Sequence, residues 1–110
     1  MEILTSMGVC DFKVIRERVK KSNCPIFDVE IAGSYIDKDL IVLAKKVVST
    51  VKRKVLAIAT FYWHKGQQVG KESAMAGVDW APDGKWENRL HVKPGDYTKH
   101  EFAVIYNETE

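Results

Sequence analysis

A set of aromatic side chains and one histidine is the group in this chain that is best suited to bind a ligand. All three tryptophans of the 110-residue sequence lie between positions 63 and 86. Tryptophan and tyrosine combine a large apolar surface with a polar N–H or O–H group, which suits a binding site. The same residues could instead close the core beside a turn. The candidates for ligand or partner binding are Tyr62, Trp63, His64, Trp80 and Trp86.

His64 and two aspartates are the residues with the clearest capacity for acid–base chemistry. His64 follows the aromatic run, while Asp79 and Asp83 flank the segment that contains Pro82. A small hydrolase could use His64 with either carboxylate if the pair lay within hydrogen-bonding distance in a pocket. In the simpler interpretation Asp83 forms a turn and Asp79 faces solvent.

Motifs of other catalytic or cofactor sites are missing from the sequence. It contains no GxSxG, HExxH or GxxxxGK[ST] pattern, and Cys10 and Cys24 do not form a CxxC pair. We therefore assign no catalytic residue and expect no metal site and no cofactor. Because no secretion signal is recognisable, both cysteines are expected to be free thiols in a reducing cytoplasm.

Basic residues are concentrated in the N-terminal half. Residues 1–54 carry a net charge of +4 and residues 55–110 a net charge of −2, so the chain carries +2. A basic surface attracts nucleic-acid phosphates, although a run of charges is often only a solvated face. For this alternative function the candidate residues are Arg16, Arg18, Lys20, Lys21, Lys45, Lys46, Lys52 and Arg53. They occupy other segments than the aromatic residues, which disfavours a base-stacking groove.

The elements that must position these residues centre on an amphipathic helix. Its apolar residues recur at helical spacing, at Leu40, Leu43, Ala44, Val47, Val48 and Val51. Ser34 or Asp37 can cap its first turn, and the bases of 52–54 suit the negative end of its dipole. The pattern predicts one long helix.

The next segment, 54–63, predicts a strand that is apolar on both faces. Its alternate residues divide into two sets: Val55, Ala57, Ala59, Phe61 and Trp63 against Leu56, Ile58, Thr60 and Tyr62. One helix can cover only one of these faces. The other face must meet the N-terminal segment, a second subunit or a ligand.

Further strands are expected at 12–15, 26–32, 74–80, 86–92 and 100–106, with 26–32 as a half-buried antiparallel strand. Turns at Pro82–Gly84 and Pro94–Asp96 favour antiparallel pairing. The predicted fold is α+β, with one long helix packed on a four- to six-stranded, mainly antiparallel sheet. It forms a single domain over residues 1–110, in which 1–10 are a flexible arm or edge strand and 107–110 a tail.

A resemblance rests on several of these segments together. The strand start Phe12–Ile15, the helix start Asp37–Leu40, the pair Phe61–Tyr62 and the strand end Trp80–Pro82 follow one another in a recognisable order. In this arrangement residues 11–86 are similar to a family of small uncharacterised bacterial and phage domains. The resemblance implies a small domain of that type and implies no activity or functional residue.

The sequence thus favours a non-enzymatic binding module, phage- or mobile-element-borne, with a protein or small molecule as its partner. The doubly apolar strand and the aromatic end both need a cover, so we expect a homodimer through a sheet face or edge. No apolar run reaches the length of a membrane span, so we expect no membrane partner and a cytoplasmic location. The nucleic-acid-binding protein and the small hydrolase remain the alternatives.

Overall fold

The computed structural model describes residues 12–19, 23–32, 36–68 and 74–106. Its elements are β1 (Phe12–Arg18), β2 (Ile26–Ile31), α1 (Asp37–Ser49), β3 (Ile58–His64), β4 (Ala76–Pro82), a 3-10 helix (Trp86–His91) and β5 (His100–Tyr106). The predicted α+β class is confirmed, with one helix and a five-stranded, mostly antiparallel sheet in the described residues. Predictions about residues 1–10, Lys20, Lys21, Ser34 and 107–110 lie outside the described residues.

The strands stand in the sheet in their chain order, β1-β2-β3-β4-β5. The pairs β1–β2, β3–β4 and β4–β5 are antiparallel, whereas β2 and β3 are parallel. Parallel neighbours cannot be joined by a hairpin, so the chain returns through α1. The expectation of a half-buried strand at 26–32 is wrong, because β2 is an interior strand and its Asp28 is fully buried.

Helix α1 is shorter than predicted: it spans 13 residues and ends at Ser49. The Ser49 and Thr50 hydroxyls donate to the carbonyls of Lys46 and Val47, each at a distance of 2.7 Å, and so satisfy carbonyls of the last turn. The bases at 52–54 therefore follow the helix instead of forming its last turn. At the other end, the Ile36 N–H donates to the Asp39 carboxylate over 3.4 Å.

The core lies between α1 and one face of the sheet. The helix contributes the residues of its predicted apolar stripe, Leu40, Leu43, Ala44 and Val47, all buried. Facing strand residues include Val29, Ile31, Ile58, Tyr62 and Val78. The strand predicted for 54–63 begins only at Ile58, and Val55, predicted on the opposite face, joins the same core as Ile58. Within β3 the predicted alternation is confirmed by the register, since Ile58, Thr60 and Tyr62 share the helix side.

The strand predicted for 86–92 is wrong, because residues Trp86–His91 form a 3-10 helix. Asp83 and Gly84 both adopt positive φ, 58° and 72°, and redirect the chain after β4. The Arg89 guanidinium then donates to the Trp86 carbonyl over 2.9 Å, within the helical turn.

Candidate ligand groove on the helix-free sheet face

The second face of the sheet carries no α-helix and is called here the helix-free face. Side chains alternate along each strand, so the register assigns every residue to one face or the other. On the three inner strands the helix-free face carries Ile26, Asp28, Glu30, Ala59, Phe61, Trp63, Gly77, Asp79 and Ala81. It is the second face of the doubly apolar strand, which the sequence analysis expects to be covered by another segment, a subunit or a ligand.

A groove of about 710 Å³ runs over this face. Its principal walls are Arg18, Phe61, Trp63, Asp79, Trp86 and Ile105. Small residues give it depth, because Ala59 and Gly77 form part of the lining. A Cβ added to Gly77 would lie only 3.2 Å from the Phe61 ring, so glycine permits the ring to rest against the sheet there.

Asp28 is the polar anchor of the groove wall. It is fully buried, and it accepts hydrogen bonds from Arg16 Nε at 2.5 Å and from Arg18 Nε and Nη2 at 2.9 and 2.8 Å. Trp63 Nε1 also donates to it, over 3.0 Å. Burial would raise the pKa of Asp28, but the bonds from Arg18, Arg16 and Trp63 outweigh burial and hold it below its ordinary value.

The same anchor fixes two groove side chains in place. Trp63 is 4% exposed and cannot rotate without breaking its bond to Asp28. Arg18 forms a bidentate pair with Asp28, and its guanidinium carbon lies 5.1 Å from the centre of the Phe61 ring. The groove wall is therefore preformed, which lowers the ordering cost of binding.

Asp79 is the other acidic group in the groove. Burial raises its pKa to about 6, and the nearby negative charge of Glu87 adds to the rise. Among the described residues no side chain hydrogen-bonds to Asp79 or forms an ion pair with it. The buried Asp28 is thus compensated by arginines, whereas Asp79, the carboxylate of the described groove lining, has no such partner among the described residues.

The predicted aromatic site residues are divided between the two faces. Trp63 and Trp86 both line the groove. Tyr62 is fully buried under α1, where its hydroxyl lies 3.0 Å from that of Thr60. Trp80 also lies on the helix side, 4.6 Å from the ring centres of Tyr97 and His100. The structure therefore brings two of the tryptophans together and sets Trp80 apart.

His64 lies apart from both aspartates proposed as its partners. Its backbone N–H donates to the Gln67 side-chain oxygen at a distance of 2.7 Å, at the end of β3. Asp79 pairs with Ala59, five positions back along β3, and projects from the helix-free face. Asp83 follows β4 beyond the opposite end of β3. These residues do not form a shared acid–base site.

The predicted basic residues also divide between surfaces. Arg16 and Arg18 are engaged with Asp28, and Arg53 forms an ion pair with Glu17 at 2.9 Å. The exposed bases Lys45 and Lys46 lie on α1, across the sheet from both arginines. Lys52 is exposed just after the helix, whereas Lys20 and Lys21 lie outside the described residues.

Cys24, beside the sheet, is partly buried, and burial raises the pKa of its thiol despite the neighbouring Arg89. Cys10 lies outside the described residues. Within the described part of the chain no three His, Cys, Asp or Glu residues are grouped as metal ligands would be.

Sequence reasoning missed Asp28 as the anchor of the groove wall and missed Phe61 and Ile105 as lining residues. It treated Arg18 only as a nucleic-acid contact. A signal for Asp28 was present: Arg16 and Arg18 stand two apart, the spacing that puts both on one face of a strand. An acid between apolar neighbours in the next predicted strand is the natural partner for such a pair.

No protein-family model, no curated protein and no solved structure matches this chain. The resemblance to small bacterial and phage domains therefore stays a prediction. In the described segments no helix has the length and apolar character needed to cross a membrane.

Proposed function

We propose that the protein is a non-enzymatic binding module whose ligand, a small organic molecule, occupies the groove on the helix-free face. The observation that carries this proposal is the preformed aromatic wall, in which Trp63 is held by the buried Asp28. A volume of about 710 Å³ lies within the range of small-molecule sites, roughly 300–1,000 Å³. Mostly apolar walls with few polar groups are typical of such sites.

The composition of the groove supports recognition over catalysis. Its described lining contains no serine, cysteine, histidine or lysine. The Arg18 guanidinium is already bound to Asp28, and Asp79 is the one carboxylate among the described lining residues. A lone carboxylate can orient a ligand, but acid–base or nucleophilic catalysis generally needs a second positioned group.

The three tryptophans provide a built-in test. Trp63 and Trp86 line the groove, and Trp80 lies on the other side of the sheet as an internal control. We expect members of a library of small aromatic fragments to shift the indole N–H signals of Trp63 and Trp86 in protein-observed NMR, with the Trp80 signal unchanged. A library without any such member, or one whose members shift only Trp80, would contradict the proposal.

A groove-filling variant sharpens this test. Ala74, a partly buried lining residue, can be replaced by leucine to occupy part of the volume. Ala74→Leu should weaken every fragment that shifts Trp63. The matched control Ala32→Leu adds the same atoms at an exposed position outside the groove and should leave binding unchanged.

The proposal retains the expectations of a homodimer, a cytoplasmic location and carriage by a phage or other mobile element. Support for self-association comes from β5, an edge strand of the described sheet, where Ile105 and Tyr106 are 52% and 48% exposed. Sedimentation analysis should then show a dimer that Ile105→Lys dissociates. A monomer at high concentration would contradict the expected dimer.

A further inference from the structure

We infer that the groove takes a cationic amine joined to an aromatic ring by a short chain, with the ammonium group on Asp79 and the ring between Phe61 and Trp63. This inference rests on the proposed binding function. It adds the charge of the ligand and the place of that charge in the groove.

The position of the ammonium group follows from the imbalance of charge in the groove. Asp28 is compensated by two cations, Arg16 and the bidentate Arg18. Asp79 has no such partner among the described residues, and the exposed Glu87 adds a second negative charge nearby. A carboxylate withdrawn from water without a counter-ion is costly, and a bound cation removes that cost.

The position of the ring follows from the register. Gly77 pairs with Phe61 across the sheet, and Asp79 stands two residues further along the same strand and face. Two residues of strand span about 7 Å. An ammonium group hydrogen-bonded to Asp79 therefore leaves a two- to three-atom chain before a ring that meets the Phe61 ring, which itself lies over Gly77. The ring would rest against Phe61, with Trp63 beside it.

An anionic ligand fits the same groove less well. The cation that it would need is Arg18, whose Nε and Nη2 atoms are both engaged by Asp28. It would also approach Asp79 and Glu87, which repel it. The charges of the groove thus discriminate between ligands of similar shape.

Three probes of nearly equal shape and different charge test the inference: 2-phenylethylamine, 2-phenylethanol and phenylacetate. Each is titrated into the protein at pH 7.5 while the indole signals of Trp63, Trp86 and Trp80 are followed by NMR. We expect the amine to bind at least about tenfold more tightly than the alcohol, and phenylacetate to bind most weakly. Equal binding of amine and alcohol, or a preference for phenylacetate, would overturn the inference and leave the proposed function standing.

Variants identify the responsible carboxylate. Asp79→Asn should reduce amine binding about tenfold and leave phenylethanol binding unchanged, because only the charged contact is lost. Glu101→Gln, which removes an exposed carboxylate from the neighbouring strand, is the matched control and should leave all three affinities unchanged. Retention of the amine preference in Asp79→Asn would overturn the inference, and an unchanged Trp80 signal checks that the variant is folded. Failure of all three probes to shift Trp63 or Trp86 would count against the proposed function itself.

Discussion

The indole N–H of Trp63 donates to Oδ1 of Asp28 over 3.0 Å, across the parallel pair of strands at the middle of the sheet. The residues are not direct partners in the register, because Asp28 pairs with Phe61 and Glu30 with Trp63. The bond is therefore diagonal, and it holds a large groove side chain by a buried carboxylate on the neighbouring strand. Stability and the shape of the groove are linked through this contact.

The negative charge of Asp28 should stabilise the folded protein. Asp28→Asn should lower the free energy of unfolding by about 2–3 kcal/mol, because three charge-assisted contacts are lost and Trp63 keeps only a neutral acceptor. The pKa of Asp28 lies below 3.8 in the folded protein, so its contribution is complete above the unfolded value. The contribution is lost as the pH falls from about 4 through the lowered pKa.

Urea unfolding at pH 7 and at pH 3 measures both effects. The difference in the free energy of unfolding between wild type and Asp28→Asn should be smaller at pH 3 than at pH 7. Glu101→Gln, an exposed carboxylate change on β5, serves as the control and should stay within about 0.5 kcal/mol of wild type. A larger difference in the free energy of unfolding at pH 3 would show that the Asp28 carboxylate does not act as the charged acceptor.

The ionised Asp79 should destabilise the folded protein, whereas the ionised Asp28 stabilises it. Its pKa of about 6 in the folded protein exceeds the ordinary value of 3.8, so the folded state holds the proton more tightly. Stability should therefore fall as the pH rises from about 4 to 6 and level off above that range. Asp79→Asn should remove this slope and, above pH 6, stabilise the fold by about 1–2 kcal/mol.

NMR titration of the Asp79 carboxyl carbon measures that pKa directly. Glu87→Gln should lower it, because the repulsion from Glu87 is removed while burial remains. An Asp79 pKa near 4 in wild type would contradict the desolvation on which the ligand assignment depends.

Tyr62 should contribute through its hydroxyl as well as its ring. The hydroxyl lies 3.0 Å from Thr60 Oγ1 and 3.4 Å from the Leu40 carbonyl in the buried core. Tyr62→Phe should cost about 1 kcal/mol, since Thr60 can still donate to the Val78 carbonyl. Tyr106→Phe removes an exposed hydroxyl bonded to Asp37 and should change thermal stability less than half as much.

Gly77 should be required for the resting position of the Phe61 ring. An alanine Cβ would lie 3.2 and 3.3 Å from two ring carbons, so the ring must tilt towards the groove. Gly77→Ala should cost about 1–2 kcal/mol and weaken the binding of aromatic fragments. In a double-mutant cycle, Phe61→Leu should recover part of the loss, because the smaller side chain avoids the contact. Strict additivity of the two changes would exclude the contact as the cause.

Sequence patterns predicted the parts of this fold that depend on periodicity. The alternation along 58–63 indicated an apolar second face, and the spacing of Leu40, Leu43 and Val47 indicated the core face of α1. Both are local properties of a strand or helix. The end of α1 was not predicted, because the helix ends at Ser49 while the apolar spacing continues to Val51.

The groove could not be predicted from any single segment, because it depends on contacts between residues of different strands. Burial of Asp28 is tolerable only because Arg16 and Arg18 from β1 and Trp63 from β3 surround it. Trp63 and Trp86 both line the groove, but Trp80 belongs to the other face by its position in β4. Trp86 reaches the groove through a 3-10 helix whose sequence resembled a strand.

The strands lie in the sheet in the same order as in the chain, and this order affects how the protein folds. Each strand pairs with its neighbours in the chain, so three of the four pairings can form as local hairpin-like steps. Joining β2 to β3 is the exception, because the intervening chain must close a loop and dock α1 before the strands can meet. The rate-limiting event of folding should therefore lie in the docking of Leu40, Leu43 and Val47 onto the two inner strands. Truncation of these three residues should slow folding, whereas truncation along β5 should mainly hasten unfolding.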